Sequence, residues 1–303
     1  MRKLFNMSLI LDLTVNGLIM GLFYALMAVG LSMIFGILRI VNFAHGEFFM
    51  IGAYVYALSA MKMGLNPWFA LVFAGAAGAL LGVVVEKLLM RPLYDGYQSW
   101  SIVKDEYAVV VTFALSLLLI HLVDKVIGPS PFLGPSLVST KRIALGPLML
   151  NGQKIIAAGV SVFVLIGLAL FIKKSVWGRQ IQAVAQNRFG ASLAGIDPVK
   201  TTALIFAISG LLAALSGALM APIMNPSPDV GSFPALKSFI IVVLGGMGSI
   251  WGSMAAAILL GVMESFFAVY VSYDYRDTFG LMVLIAVLLF RPQGLAGRKG
   301  RET

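Results

Sequence analysis

The chain has 303 residues, of which 60% are hydrophobic and 12% are charged, and its mean hydropathy is +0.96. Because soluble domains carry roughly 25% charged residues, this composition excludes an ordinary soluble protein and indicates one integral membrane domain over residues 1–303. The net charge of +9 comes from basic residues at loop ends and near the C-terminus, which favours positive-inside sorting over nucleic-acid binding. Since Cys is absent, disulfides and thiolate metal sites are excluded.

The first half of the chain contains five apolar segments that predict helices. They cover residues 11–37, 48–61, 68–90, 107–126 and 155–172. The first could be mistaken for a signal peptide, but its apolar run continues to Gly36 and predicts a retained span. Small residues recur every fourth position at Gly17, Gly21 and Ala25, and again in the third segment at Ala74, Gly78 and Gly82, which predicts faces that another helix can approach closely. The second segment is short.

The second half predicts a span over residues 201–221 and then a broken element. Residues 239–244 are too few to cross a membrane as a straight helix, GGMGS follows at 245–249, and apolar runs return at 253–271 and 279–290. The predicted fold is therefore an all-α polytopic bundle of eight to nine transmembrane segments with broken or re-entrant helices. Nine segments with the C-terminus inside place the N-terminus outside.

Residues 178–200 are neither apolar enough for lipid nor polar enough for disorder. Lys173, Lys174 and Arg179 put this stretch in the cytoplasm by the positive-inside rule. Its alanines and glycines, including Ala191 and Gly195, would let another protein's backbone come close. The stretch is thus either a docking surface built from a short helix and a turn, or an interfacial helix without a partner.

Motifs of catalysis are missing from the sequence. There is no G-x-x-x-x-G-K-[ST] phosphate-binding loop and no H-E-x-x-H, and GGMGSIWG has neither the spacing nor the βαβ context of a dinucleotide fingerprint. The two His residues are far apart in sequence, which leaves little for a metal site. We therefore expect no enzyme, no metal and no cofactor on this chain, and any ATP must be used by another subunit.

Polar residues inside apolar segments are better candidates for function. A charge at mid-membrane costs at least about 2.5 kcal/mol and is usually kept for a reason. Glu264 shares a helix face with Gly261 and Ala257, so it either lines or braces a pathway or forms a structural hydrogen bond to a neighbouring helix. Asn42 and Glu47, with Gly46 between them, are either ordinary residues at a helix entry or part of a discontinuous helix that faces substrate.

Four motifs in order resemble the LivH-type permeases of branched-chain amino acid ABC transporters. They are NGLIMGLFYALMAVGLSMIFGILRIVNFAHGEFFMIGAY at 16–54, GRQIQAVAQNRFGASLAGI at 178–196, VLGGMGSIWGSMAAAILLGVMES at 243–265 and LLFRPQGLAG at 288–297. The similarity covers nearly the whole chain. One departure, LAG in place of LFG at 295–297, puts nothing important in doubt.

The resemblance implies a permease subunit of an ATP-driven importer in the bacterial inner membrane, with its C-terminus cytoplasmic and its N-terminus periplasmic. The implied partners are a homologous second permease, two ATPase subunits that bind ATP and Mg²⁺, a periplasmic protein that delivers Leu, Ile or Val, and membrane lipid. By the same resemblance, the coupling loop at 178–200 includes Gly178, Arg179, Ala185, Asn187, Ala191 and Gly195. The implied pathway residues are Asn42, Gly46, Glu47, Gly246, Gly248 and Glu264.

Other functions stay open from the sequence. Relatives that carry urea or short amides share these motifs, so a urea or short-chain amide permease is the alternative within the family. A stand-alone secondary transporter or channel is a further alternative, although it would be expected to carry more buried carboxylates than Glu264 supplies.

Overall fold

The computed structural model describes residues 7–92, 104–138, 142–145 and 148–296. Its first half contains α1 Met7–Leu38, α2 His45–Lys62, α3 Pro67–Val85 with a π-helical turn Glu86–Met90, α4 Lys104–Ile127, β1 Arg142–Leu145 and β2 Leu148–Asn151. Its second half contains α5 Gly152–Lys174, α6 Val176–Gln186, α7 Arg188–Leu193, α8 Pro198–Met224, α9 Ser232–Gly245, α10 Ile250–Tyr270 and α11 Arg276–Phe290.

Six helices in the described ranges are long and apolar enough to cross a membrane. They are α1, α3 with its π turn, α4, α5, α8 and α10. The helical membrane architecture is confirmed, but the count of eight to nine spans is not. Helices α2, α9 and α11, with 18, 14 and 15 residues, do not reach this class.

Helix starts are fixed by side-chain caps. Asn66 accepts a hydrogen bond from the Trp68 amide (3.0 Å) at the start of α3, and Asp197 accepts one from the Val199 amide (2.9 Å) at the start of α8. In both helices proline occupies the first turn, where its missing amide hydrogen leaves no broken bond. Asn151 caps α5 in the same way.

Helices α1 and α8 form the centre of the bundle, because 72% and 67% of their most apolar stretches are buried. A Cβ atom on Gly17 would lie 2.6 Å from the Cα of Val262, so α1 packs backbone to backbone against α10. On α3, Gly82 faces the Phe206 carbonyl of α8 with no room for a side chain. The predicted small-residue faces are therefore confirmed as helix contacts.

Three local expectations need correction. Helix α2 begins at His45 rather than at 48, so Glu47 lies inside the helix. The long loop before α5 contains an antiparallel hairpin, β1–β2, and the fold is not purely α. Helix α8 continues through Pro222 to Met224, beyond the expected end at 221, because proline late in a helix loses only one backbone hydrogen bond.

Candidate functional site

A buried ion-pair network joins four helices. The Lys237 ammonium on α9 contacts the Glu264 carboxylate on α10 and lies 3.1 Å from the Asp277 carboxylate on α11. The Tyr24 hydroxyl on α1 donates a hydrogen bond to the second Glu264 oxygen at 3.2 Å. The side chains of Lys237 and Glu264 are each 3% exposed, whereas that of Asp277 is 39% exposed. The network therefore runs from the interior towards the surface.

The break between α9 and α10 brings Lys237 and Glu264 together. Gly246 (φ 96°) and Gly248 (φ 84°) adopt left-handed backbone angles that favour glycine, and the chain reverses between the two helices. Amides of Leu295 and Ala296 donate to the carbonyls of Leu244 and Gly245, at 2.8 and 3.1 Å. These bonds satisfy carbonyls at the end of α9, so the break is held in place by the chain that follows α11.

Gly280 on α11 makes room for the ion pair. A Cβ atom there would lie 3.1 Å from a Glu264 carboxylate oxygen and 3.3 Å from the Lys237 ammonium. Any side chain at this position would press on both charged groups. The close approach of α11 thus keeps the pair dry on that side, where an ion pair is electrostatically strongest.

Part of the ion-pair network lines a cavity of about 200 Å³. The charged residues in its lining are Lys237, Arg276 and Asp277. Its apolar lining comes from α1, α2, α8 and α9, through Met27, Phe49, Met220, Met224 and Phe233. An apolar chamber with a few convergent polar groups is the usual form of a small-molecule site.

Glu264 braces this cavity instead of lining it. Its carboxylate is held by Lys237 and Tyr24, which are themselves part of the lining. The hydrogen bond to a neighbouring helix, given above as one alternative, is present and comes from Tyr24 on α1. Lys237, Asp277 and Tyr24 were not identified from the sequence. A lysine within an apolar stretch was the available signal for Lys237, because such a charge is rarely kept without a partner.

Asn42, His45 and Glu47 form a second buried polar group, where the chain enters α2. Ser116 on α4 donates a hydrogen bond to Glu47 at 2.7 Å, and His45 Nε2 lies 3.0 Å from the Met27 carbonyl. One polar atom of each of Asn42, His45 and Glu47 is buried without a hydrogen-bond partner. None of these three residues is among those that line the cavity.

Gly46 and the two glycines of the break act through the backbone. A Cβ atom on Gly46 would lie 2.6 Å from the Gly231 carbonyl, so the start of α2 packs tightly against the segment that leads into α9. Gly248 packs against Gly36 at the end of α1, with a Cβ distance of 3.0 Å to its Cα. Of the predicted pathway residues, only Glu264 therefore belongs to the network beside the cavity.

Helices α6 and α7 cover most of the predicted coupling loop; α6 packs against α5 and α8, and α7 packs against α6 and α8. Gly178 packs onto the backbone of Ile172, and Gln182 donates a hydrogen bond to the Ile172 carbonyl at 3.1 Å. Asn187 accepts a hydrogen bond from the Gly190 amide at 2.8 Å and so caps α7. Gly195 ends the pair with φ 79°.

Exposure along this pair differs from the expectation. Ala191 and Gly178 are buried, so their small size serves packing within the chain. Arg179, Ala185, Asn187 and Gly195 are exposed. The most exposed apolar side chains are Phe189 (72%) and Leu193 (75%), neither of which was selected from the sequence. Two large apolar side chains exposed side by side on a short helix are typical of a contact surface.

In the described ranges, no group of three or more His, Asp or Glu side chains stands close enough to hold a metal ion. The family described as "Branched-chain amino acid transport system / permease component" matches residues 13–288. The chain belongs to this family.

Its relatives include the high-affinity branched-chain amino acid transport system permease proteins LivH of Escherichia coli (strain K12) and BraD of Pseudomonas aeruginosa. They are 33% and 34% identical to the chain, over 93% and 94% of it and 94% of each relative. The permease protein LivM of Salmonella typhimurium is 28% identical over 91% of the chain and 68% of its own length. No solved structure matches the chain.

Proposed function

We propose that the chain is a permease subunit of an ATP-driven importer that moves leucine, isoleucine and valine into the bacterial cytoplasm. The observation that carries this proposal is the family match over residues 13–288, with LivH and BraD relatives aligned over nearly their whole length. The described helices fit a membrane subunit that has no site for ATP of its own, so hydrolysis is assigned to partner ATPases.

The partner within the membrane is a homologous second permease. Both LivH-type and LivM-type permeases are similar to this chain, so two different permeases share its architecture. Peripheral helices α4 and α5 are only 11% and 28% buried, and they expose apolar side chains that lipid or this second permease would cover. A periplasmic binding protein would deliver the amino acid, and affinity would lie mainly there.

The α6–α7 pair is assigned the coupling role. Phe189 and Leu193 would insert into a groove on an ATPase subunit, as exposed apolar anchors do at interfaces. Movement of the pair would reach α5 through the contacts at Ile172, and α8 directly through the short connection at Asp197. These two helices would then tilt when ATP closes the ATPases.

We assign nine passes to the chain. Six are the long helices, and α2, α9 and α11 would supply three more. Helix α9 is about 21 Å long and crosses the roughly 30 Å core only with the help of the Gly246–Ser249 segment. With Lys173 and Lys174 on the cytoplasmic side, the C-terminus is cytoplasmic and the N-terminus periplasmic.

Substrate is tested by uptake in cells that lack the gene and in cells that regain it. Labelled leucine uptake should return with the gene, should be blocked by excess valine, and should stop when ATP is depleted. Competition by urea or acetamide in place of valine would assign the chain to the amide-carrying alternative. Uptake that survives ATP depletion and follows an ion gradient would indicate a stand-alone carrier.

Coupling is tested with Phe189→Ser and Leu193→Ser. Both variants should remain in the membrane but lose leucine uptake and release the ATPase subunits on purification. Met63→Ser, which changes a similarly exposed side chain (66%) between α2 and α3, is the matched control and should retain both properties. Normal uptake by the double variant Phe189→Ser/Leu193→Ser would refute docking at α7.

A further inference from the structure

The cavity lined by Lys237, Arg276 and Asp277 has no assigned ligand. We propose that it binds one amino acid as a zwitterion inside this single chain, with the carboxylate at Arg276, the ammonium at Asp277 and the aliphatic side chain on the apolar walls. This proposal rests on the proposed function and adds where, and by which groups, the permease itself holds its substrate.

Charge balance is the first argument. The network contains two cationic side chains, Lys237 and Arg276, and two acidic ones, Glu264 and Asp277, so its formal charge is zero. A site of zero charge in a low-dielectric setting penalises a ligand that brings net charge, whereas a zwitterion leaves the sum unchanged. Free amino acids with aliphatic side chains are small zwitterions of this kind at neutral pH.

Unused hydrogen-bonding capacity is the second argument. Arg276 Nε is buried without a hydrogen-bond partner, and its nearest acidic atom is an Asp277 oxygen at 3.7 Å. A buried donor without a partner is costly, and a guanidinium binds a carboxylate through parallel hydrogen bonds. Arg276 and Asp277 are 33% and 39% exposed, so a ligand can reach them from outside.

The apolar walls supply selectivity for the side chain. Met27, Met220 and Met224 line the cavity together with Phe49 and Phe233, and methionine adapts its shape to branched groups. A volume of about 200 Å³ suits a compact ligand and is below the usual range for drug-sized molecules. The cavity would therefore accept Leu, Ile and Val alike, because hydrophobic walls distinguish one methylene only weakly.

Binding is tested on the assembled transporter in lipid nanodiscs, without the periplasmic binding protein. Labelled L-leucine should bind and be displaced by valine. Isocaproate, which lacks the ammonium group, and isoamylamine, which lacks the carboxylate, should each compete about 10- to 100-fold less well, because each loses one charge-assisted hydrogen bond. Equal competition by all three compounds would show that the cavity recognises only apolar shape and would overturn the proposal.

Charge variants give a readout that a purely structural role would not move. Asp277→Asn leaves the site with a formal charge of +1 and should shift its preference from leucine towards isocaproate. Arg276→Gln leaves −1 and should shift it towards isoamylamine. Asp274→Asn makes the same change at an exposed position outside the lining and should leave the preference unchanged.

Met224→Trp is an independent test, because it enlarges an apolar lining residue and leaves all the charged side chains in place. It should weaken leucine binding while isocaproate and isoamylamine keep their order. If the wild type imports leucine but all these variants bind and import it normally, the cavity is not a substrate site, and the proposed function stands. If the wild type imports urea or acetamide and not leucine, the proposed substrate itself is wrong.

Discussion

Removing either member of the Lys237–Glu264 pair should have unequal effects, because their remaining partners differ. In Glu264→Gln, Lys237 keeps the Asp277 carboxylate at 3.1 Å. In Lys237→Met, the bonded partner that Glu264 keeps is the neutral Tyr24 hydroxyl at 3.2 Å, although its side chain is 3% exposed. The second variant therefore leaves a buried carboxylate without a bonded cation, whereas the first leaves the ammonium its bonded carboxylate.

The expected magnitudes follow from this asymmetry. Lys237→Met should lower the free energy of unfolding by about 3–5 kcal/mol, the usual cost of breaking a buried ion pair from one side. Glu264→Gln should cost about 1–2 kcal/mol, since glutamine can still accept from Lys237. The double variant should cost less than Lys237→Met alone, because no buried charge is then left between α9 and α10.

Equilibrium unfolding of the purified permease in mixed micelles measures these differences, with Tyr24→Phe as the control that removes one hydrogen bond at about 1 kcal/mol. The cycle of single and double variants gives the coupling energy directly. The reasoning fails if Lys237→Met costs no more than Glu264→Gln. It also fails if the double variant shows the sum of the two single effects.

Two further predictions concern packing and pH. Gly82→Ala should destabilise the fold by about 2 kcal/mol or more, because its Cβ would meet the Phe206 carbonyl. Gly159→Ala on α5 has no neighbouring atom within 4 Å of its Cβ and should stabilise its helix by up to about 1 kcal/mol. Thermal unfolding of the two variants measures the difference. Asp197→Ala should cost about 1 kcal/mol at neutral pH through loss of the α8 cap. The Lys200 amide and then the Val199 amide hold the pKa of Asp197 below its ordinary 3.8, so the charge-dependent part of the capping contribution is complete above that value and is lost as the pH falls through the lowered pKa. Unfolding curves at several pH values should show wild type and Asp197→Ala converging in acid, and a constant gap would contradict this assignment.

Features that repeat locally could be predicted from the sequence. Small residues every fourth position identified the faces of α1 and α3 because close helix contact needs the same small size at each turn. The glycines at 245–249 predicted a break for a similarly local reason, since positive φ angles favour glycine. The face of Glu264 followed from helical spacing alone.

Features that depend on partners distant in sequence could not be predicted. Nothing near Lys237 indicates that its partners are Glu264 and Asp277, 27 and 40 positions further along the chain. The burial of Ala191 likewise depends on how α7 packs against its neighbours, so its role in packing within the chain could not be predicted from the sequence. The exposure of Phe189 and Leu193 could not be predicted either, because it depends on which neighbours α7 packs against.

Helix α8 connects the two regions to which function is assigned. It begins at Pro198, directly after the α6–α7 pair, and its last turns carry Ser216, Met220 and Met224 into the cavity wall. Its 27 residues extend about 40 Å, and its middle packs closely against glycines of α1 and α3, at Gly30, Gly78 and Gly82. A displacement of the first turn of α8 should therefore move its cavity end mainly by tilting the whole helix. Pro222, where a backbone hydrogen bond is lost, is the point at which that tilt can change the cavity's shape without unpacking the helix below it.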